Sequence, residues 1–283
     1  AAERRGGAGG VNAAALAENQ DSIAAISPQS DPWANLSYFQ KAISYGTYGT
    51  QEAREQLSQF AVSVLGASSV STSVKTQFVQ YAVGELDAQS QWSPLDARFP
   101  LFAGAVLDAA GDYKDAGAEL ERAHELSPQK QTILFEMAQN YGAEGDIQDE
   151  LSAFQAAFNL DADDLDARLY YAAALISAGQ SSQAQTILAP VIQSGQAADS
   201  RIAQAYASKG EYAALIPIWQ AAIKADPQNG QNYFTLAAAY YATGNHAQAI
   251  AILQSAEAAV PGTQPQAQQL IQEIQSGTVN VSG

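Results

Sequence analysis

The chain has 283 residues, of which 47% are apolar and 15% charged, so it is long enough to bury a large hydrophobic surface. Its 13 Lys and Arg against 29 Asp and Glu give a formal net charge of -16, which disfavours nucleic acid and anionic membranes as partners. The absence of cysteine excludes disulfides, thiolate nucleophiles and cysteine-based metal sites. From length alone, one repeat array and two separate domains are both open.

Two features of the sequence bear on its location. The lack of cysteine fits an oxidising compartment, and the chain begins at Ala1 rather than at methionine, as a processed or truncated polypeptide does. No run of about 18 apolar residues occurs, so the sequence predicts no membrane span. We therefore expect an extracellular or periplasmic protein.

Residues 1–30 are predicted to form a Gly/Ala-rich N-terminal arm. The opening letters, AAERRGGAGG, follow no predicted strand, so their glycines indicate a flexible arm rather than a phosphate-binding loop. Glu3 against Arg4 and Arg5 gives this opening a charge of +1. The rest of the chain therefore carries -17, for a formal total of -16. The arm and the body are therefore of opposite charge.

Residues 31–96 are predicted to form helices that lack the complete signature of the repeat found from residue 97 onward. Asp31 followed by Pro32 is a typical N-cap and first-turn pair. Helices are predicted over 32–45, 50–65 and about 69–89.

A repeat begins at residue 97. The glycines that precede the second helix of each predicted unit recur at spacings of 34, 34, 31 and 34 residues. They are Gly111, Gly145, Gly179, Gly210 and Gly244. Two helices joined by a tight glycine turn account for this length, so residues 97–261 are predicted to form five helix pairs.

The last unit shows the pattern of small, large and aromatic residues most completely. Its pattern residues are Tyr233, Leu236, Ala237, Tyr240, Gly244, His246, Ala249, Leu253, Ala256 and Pro261. Small residues let the two helices of a pair approach closely, and large ones fill the groove between successive pairs. The third unit is degenerate, and Pro190 is predicted to end or kink its second helix.

This pattern resembles the tetratricopeptide repeat (TPR) family across residues 97–261. The resemblance implies an all-α, right-handed α-solenoid of TPR helix-turn-helix repeats, with an extended N-terminal arm and a short C-terminal tail. The stretches FQKAISYGTYGTQEAREQL, PLDARFPLFAGAVLDAAGDYKDA and QKQTILFEMAQNYGAEGD also resemble the soluble C-terminal TPR region of bacterial O-antigen ligase/polymerase-like membrane proteins. The polytopic membrane domain that precedes this region in that family is absent here, so its glycan chemistry is not carried over.

Residues 262–283 are predicted to be a capping helix and a tail. Residues 264–276 form an amphipathic pattern with Leu270, Ile271 and Ile274 on one side, which suits a helix that covers the last repeat. Residues 278–281 alternate polar and apolar side chains like a short strand.

The residues that suggest chemistry have structural explanations. The acidic run from Asp161 to Asp166 lacks the glycine and terminal glutamate of an EF-hand loop, so we expect its acids to cap the next helix. His124 and His246 are the only histidines, lie far apart in sequence and are expected to pack. No triad, nucleotide-binding or metalloprotease motif occurs. We therefore expect no catalytic residue, no metal, no cofactor and no enzymatic activity.

The concave surface of such a solenoid is lined by the first helix of each unit. Register places six apolar groove residues there: Leu101, Phe135, Leu169, Ile176, Phe234 and Tyr241. The Lys, Arg and Asn cluster with which chaperone-tail-binding TPR domains grip a carboxylate is missing, so the predicted ligand is apolar. Trp33 and Trp92 flank helix starts and are further candidates for ligand anchoring, whereas Trp219 occupies a core position.

Two non-enzymatic functions remain open. In the first, an acidic structural protein stacks head to tail into an extracellular filament or sheath. Its arm, with Arg4, Arg5, Val11 and Leu16, would dock on the neighbouring copy and make it a homo-oligomer. In the second, a periplasmic or cell-surface adaptor binds another protein in a polysaccharide-assembly complex. Both functions rest on protein–protein interaction, with no nucleic acid as partner.

Overall fold

The computed structural model describes residues 7–27 and 31–278, and within these residues all regular secondary structure is helical, with no strand. The α-helices in chain order are α1 (Gly7–Ile26), α2 (Pro32–Ser44), α3 (Thr50–Gly66), α4 (Thr72–Trp92), α5 (Arg98–Ala110), α6 (Tyr113–Leu126), α7 (Gln131–Glu144), α8 (Ile147–Leu160), α9 (Leu165–Ser177), α10 (Ser181–Ile192), α11 (Ser200–Ser208), α12 (Leu215–Ala225), α13 (Gly230–Ala242), α14 (His246–Ala259) and α15 (Gln264–Ser276). A 3-10 turn, Tyr212–Ala214, precedes α12. The predicted all-α solenoid class is confirmed. None of these helices combines the length and apolar character needed to cross a bilayer.

The helices form two compact units. The N-terminal unit contains the described residues up to Asp146, with α1 to α7, and the C-terminal unit contains those from Ile147 onward, with α8 to α15. Within each unit, most helices that are neighbours in the chain pack against each other, and α11 packs on α9. The division falls inside the predicted 97–261 repeat region, and the predicted domain boundaries stay predictions.

Helix ends follow local signals that the sequence carries. The Asp31 carboxylate accepts a hydrogen bond from the Trp33 backbone N–H and caps α2, as predicted. At the end of α5, Gly111 has a φ of 82° and takes the left-handed conformation. There the Gly111 and Asp112 backbone N–H groups donate to Asp108 and Leu107, which satisfies the last carbonyls of the helix. These glycines therefore stop the first helix of a pair without a steric cost.

Small residues at the helix crossings allow the close approach that the repeat pattern predicts. A Cβ placed on Gly104 of α5 would lie 2.7 Å from Cγ of Leu120 on α6. Leu120 is fully buried, so it has no room to withdraw. The packing of α5 on α6 thus requires glycine at this position. In the degenerate third repeat, α10 passes through Pro190 and ends at Ile192, close to the predicted stop.

The N-terminal segment differs from the extended arm predicted for it. Residues 7–26 are the helix α1, which packs on α2 and also contacts α3. Alanine-rich sequence favours helix once tertiary contacts hold it. Glu18 provides such a contact, because its buried carboxylate accepts hydrogen bonds from the side-chain hydroxyls of Thr47 and Thr50. The glycines at the start of α1 therefore do not keep this segment extended.

A second acid of α1 reinforces its attachment. Asp21 is buried and accepts hydrogen bonds from Lys41 Nζ and from Tyr45 Oη, at 3.1 Å and 3.0 Å. Both donors belong to α2 or its C-cap, so Asp21 connects α1 to α2. The N-terminal helix is therefore an integral layer of its unit.

At the C-terminus, α15 occupies the residues predicted for the capping helix and packs on α14. Ala267 is fully buried and Leu270, Ile271 and Ile274 are partly buried. The predicted strand over 278–281 lies almost wholly outside the described residues.

Candidate functional site

The six predicted groove residues do not form one exposed surface. In the N-terminal unit, Leu101 and Phe135 are partly buried on α5 and α7. In the C-terminal unit, Phe234 and Tyr241 are partly buried on α13, and Tyr241 stacks on His246 with ring centroids 4.7 Å apart. Each of these four side chains keeps some surface open to a ligand.

Leu169 and Ile176 correct the groove prediction. Both are buried, with 2% and 0% of their surface exposed. The helix α9 contacts α8, α10 and α11, and these neighbours leave both side chains covered. These two residues belong to the core of the C-terminal unit and cannot line a binding groove.

The predicted assembly arm is also altered. Arg4 and Arg5 lie outside the described residues, and Val11 lies in α1. Leu16 is exposed on α1, whose other side packs on α2 of the same unit. Only the exposed face of this helix is open to another molecule.

A cavity of about 690 Å³, here named the α4–α5 cavity, opens in the N-terminal unit. Its wall consists of Ser93, Pro94, Leu95, Asp96, Ala97, Arg98, Leu101, Leu126, Ser127, Lys130 and Ile133. Of the predicted groove residues, it includes Leu101. Leu95 and the preceding Trp92 are 85% and 83% exposed, which is unusual for side chains of their size. The cavity therefore adjoins an exposed apolar surface.

Arg98 fixes the polar edge of the α4–α5 cavity. Its guanidinium forms ion pairs with Asp96 at 2.7 Å and with Glu55 at 3.0 Å, and lies over the ring of Phe99. Hydrogen bonding from Arg98 lowers the pKa of Asp96 and keeps that carboxylate charged. Lys130, by contrast, is exposed and has no ion-pair partner in the described part of the chain.

A second cavity, of about 580 Å³, lies in the C-terminal unit and is here named the α10–α12 cavity. Its wall consists of Gln185, Leu188, Ile192, Tyr206, Glu211, Ala213, Ala214, Pro217 and Ile218. Tyr206 lies four residues before Gly210, as Tyr240 lies four residues before Gly244 in the last unit. The pattern gave no sign of a cavity, because the cavity depends on where α10, α11 and α12 meet.

Tyr206 is the unusual residue of the α10–α12 cavity. Its side chain is fully buried, and its hydroxyl has no hydrogen-bond partner among the described residues. Burial raises the pKa of Tyr206; the nearby Gln185 side chain opposes this rise and the charge of Glu211 adds to it. Gln185 lies within reach of the phenol, but their contact falls short of a well-formed hydrogen bond. A buried hydroxyl of this kind can still donate and accept hydrogen bonds.

The residues considered for metal or acid–base chemistry have structural roles. Asp164 accepts a hydrogen bond from the Ala167 backbone N–H and caps α9, as predicted for the acidic run. His246 is exposed at the start of α14, and His124 is partly buried on α6. Within the described residues, no group of three His, Cys, Asp or Glu side chains could hold a metal ion. Trp219 is buried, in keeping with the core position predicted for it.

Comparison with known proteins identifies the repeat. The tetratricopeptide repeat family profile matches residues 142–209 and 207–274. No curated protein matches the chain in sequence. A solved tetratricopeptide repeat protein from Parabacteroides merdae has 16% identity and a TM-score of 0.50, over 80% of this chain and 90% of its own.

Two further solved structures are similar at lower TM-scores. YrrB, described as a TPR protein with an unusual peptide-binding site, has 16% identity and a TM-score of 0.43, over 65% of this chain and 97% of its own. Yeast Tom70 has 13% identity and a TM-score of 0.48, over 95% of this chain and 55% of its own. The family profile identifies tetratricopeptide repeats within residues 142–274, and the chain has the all-α fold of the Parabacteroides merdae tetratricopeptide repeat protein.

Proposed function

We propose that this chain is a non-enzymatic binding module that holds an apolar segment of another protein at the α4–α5 cavity. TPR domains in general bind other proteins and are scaffolds rather than catalysts. The observation that carries the proposal is the exposure of Trp92 and Leu95 beside a cavity whose wall includes Leu101 and Ile133.

The energetics of these side chains favour a partner. A large apolar side chain left in water forgoes about 1.5–3 kcal/mol of burial free energy. Clustered exposed apolar residues next to a concavity are typical of protein-binding sites, and tryptophan is enriched among the residues that dominate binding energy. The fixed ion pairs of Arg98 provide a rigid polar rim around this apolar centre.

A crosslinking experiment tests the site directly. We would place the photoreactive residue p-benzoylphenylalanine at Leu95 in the full chain and irradiate cells that produce it. A matched control carries the same residue at Gln77, which is exposed on α4. We expect a discrete adduct from position 95 and none from position 77. The same adduct from both positions, or none from position 95, would contradict the proposal.

The adduct also identifies the partner, which is then purified for a binding assay. We expect Trp92→Ser to weaken that binding by at least about tenfold, the usual effect of truncating a central tryptophan anchor. Trp33→Ser is the control, because Trp33 is an exposed tryptophan of the same unit on α2, which contributes no residue to the cavity wall, whereas Trp92 directly precedes the wall residues Ser93–Arg98. Equal losses in both variants would indicate a general effect on folding.

A different protein is favoured over a second copy as the occupant, since α1 packs on its own unit and leaves less of the arm for a neighbouring subunit. An adduct between two copies would instead support the extracellular filament or sheath. The resemblance to the C-terminal region of O-antigen ligase/polymerase-like proteins supports a partner in a polysaccharide-assembly complex. The cysteine-free sequence supports a periplasmic or extracellular location.

A further inference from the structure

We propose that the α10–α12 cavity of the C-terminal unit binds a lysine side chain of a partner polypeptide. This inference goes beyond the proposed function, because it concerns a separate cavity with a different ligand chemistry. It depends on the shape of the cavity wall, on Tyr206 and on the placement of Glu211.

Most of the wall is aliphatic. Leu188 and Ile192 come from α10, and Pro217 and Ile218 come from α12. A volume of about 580 Å³ is within the range of small-ligand pockets and far exceeds that of one water molecule. A four-carbon stem would replace water on these surfaces, so the wall favours a long aliphatic side chain over a short polar one.

The polar groups of the wall are well suited to an ammonium group. Glu211 provides a carboxylate, Gln185 an amide oxygen and Tyr206 a hydroxyl oxygen, all on one cavity. The Tyr206 hydroxyl is buried and has no partner among the described residues, so a ligand donor would use a hydrogen-bonding capacity that the fold leaves open. The three N–H donors of an ammonium group match these three acceptors.

Charge decides between cationic, neutral and anionic ligands. Glu211 is the one charged residue of the wall, and it forms no ion pair within the described residues. An anionic side chain would be repelled by Glu211 and by a chain whose formal net charge is -16. A neutral aliphatic side chain would leave the Tyr206 hydroxyl without a partner. A lysine side chain brings a positive charge to Glu211 and a hydrogen-bond donor to the Tyr206 hydroxyl. The planar five-donor guanidinium of arginine fits three acceptors less well.

Nuclear magnetic resonance on the ¹⁵N-labelled full chain tests the proposal. The probe is N-acetyl-lysine-N-methylamide, titrated to about 50 mM because a ligand of this size binds weakly. We expect saturable shifts of the Glu211 and Ala213 amides. N-acetyl-norleucine-N-methylamide, which keeps the aliphatic stem and lacks the ammonium group, should bind at least about tenfold more weakly. The arginine analogue should also bind more weakly than the lysine probe.

Variants separate binding from folding. Glu211→Gln should weaken the lysine probe by about tenfold through loss of a charge-assisted hydrogen bond. Tyr206→Phe should weaken it by about threefold while the fold is kept. Glu121→Gln, an exposed acid in the other unit, is the matched control and should change nothing.

Several results would overturn the inference. One is the absence of saturable shifts at the cavity in the unmodified chain; another is shifts scattered over the acidic surface. Equal affinity for the norleucine probe, or unchanged affinity in Glu211→Gln, would also exclude lysine as the occupant. None of these results depends on the partner of the α4–α5 cavity, so none of them tests the proposed function.

Discussion

At the scale of single residues, the fold depends on small side chains and on how buried polar atoms are paired. Tyr233 and Tyr206 illustrate the second point. The Tyr233 hydroxyl donates to the Pro227 carbonyl at 3.1 Å, whereas the more deeply buried Tyr206 hydroxyl has no partner in the described part of the chain. The first arrangement stabilises its repeat, and the second imposes the cost of a desolvated polar group.

Tyr206→Phe is therefore expected to leave the free energy of unfolding unchanged or to raise it by up to about 1 kcal/mol. Urea denaturation followed by circular dichroism measures this change. Tyr233→Phe is the matched control and should lower the free energy of unfolding by about 0.5–1.5 kcal/mol. A larger loss for Tyr206→Phe than for Tyr233→Phe would show that the Tyr206 hydroxyl has a structural partner.

The carboxyl of Glu136 is the second prediction at this scale. Burial raises the pKa of Glu136 above its ordinary value of 4.5, and the charge of Asp108 raises it further. Because the folded state holds this proton more tightly than the unfolded state, stability falls as the pH rises from 4.5 through the folded pKa.

Glu136→Gln should accordingly raise the free energy of unfolding near neutral pH, by less than about 1 kcal/mol because solvent screens a partly exposed group. The gain should disappear below pH 4.5, where the carboxyl is neutral in both states. Urea denaturation at both pH values checks this, with the exposed Glu121→Gln as a control expected to show no gain. A gain independent of pH would exclude ionisation as its cause.

At the scale of helices, glycine has opposite effects at two positions. Gly104 lies where α5 crosses α6, and an added Cβ would lie 2.7 Å from Leu120. Gly84 lies inside α4, and an added Cβ would meet no atom within 4 Å. Gly104→Ala should lower the free energy of unfolding by about 1–3 kcal/mol through overpacking. Gly84→Ala should raise it by about 0.5–1 kcal/mol, because alanine loses less conformational entropy in a helix. Thermal unfolding of the pair measures both, and a shared sign would contradict this account.

The predictability of each helix depended on how local its signal is. The Asp31 cap and the glycine spacing are local, and they led to α2 and to the helix pairs of the repeats with small errors at the ends. The helix α1 was missed because its glycines outweighed its alanines and because Glu18 finds its partners on residues far along the chain. Leu169 was misplaced since helical periodicity does not reveal that α11 covers α9.

The two cavities show the same limit for functional sites. The exposure of Trp92 could be suspected from its place at a helix end, but neither cavity has a sequence motif. The α10–α12 cavity depends on the short α11 and the 3-10 turn that follow the degenerate third repeat. Irregular repeats are therefore where a sequence pattern loses information and where this chain has space for a ligand.

At the scale of the whole molecule, the division into two compact units leads to a prediction about folding. Repeat units depend chiefly on contacts with their neighbours in sequence, so each compact unit should retain its own core. Separately expressed fragments 1–146 and 147–283 should each be helical and unfold cooperatively, as measured by far-ultraviolet circular dichroism during heating. A fragment that is unstructured alone would show that its unit depends on the rest of the chain.

The packing of α1 on α2 and α3 has a consequence for aggregation. A stack of helix pairs has an open terminal surface that invites further stacking, much as an edge strand invites further strands. In this chain α1 occupies that surface of the N-terminal unit, held by the buried acids Glu18 and Asp21. A molecule that docks on the surfaces of α2 and α3 that α1 covers must first displace α1 from both helices. Because α1 belongs to the same chain, it competes for these surfaces at a high local concentration that a free copy cannot match.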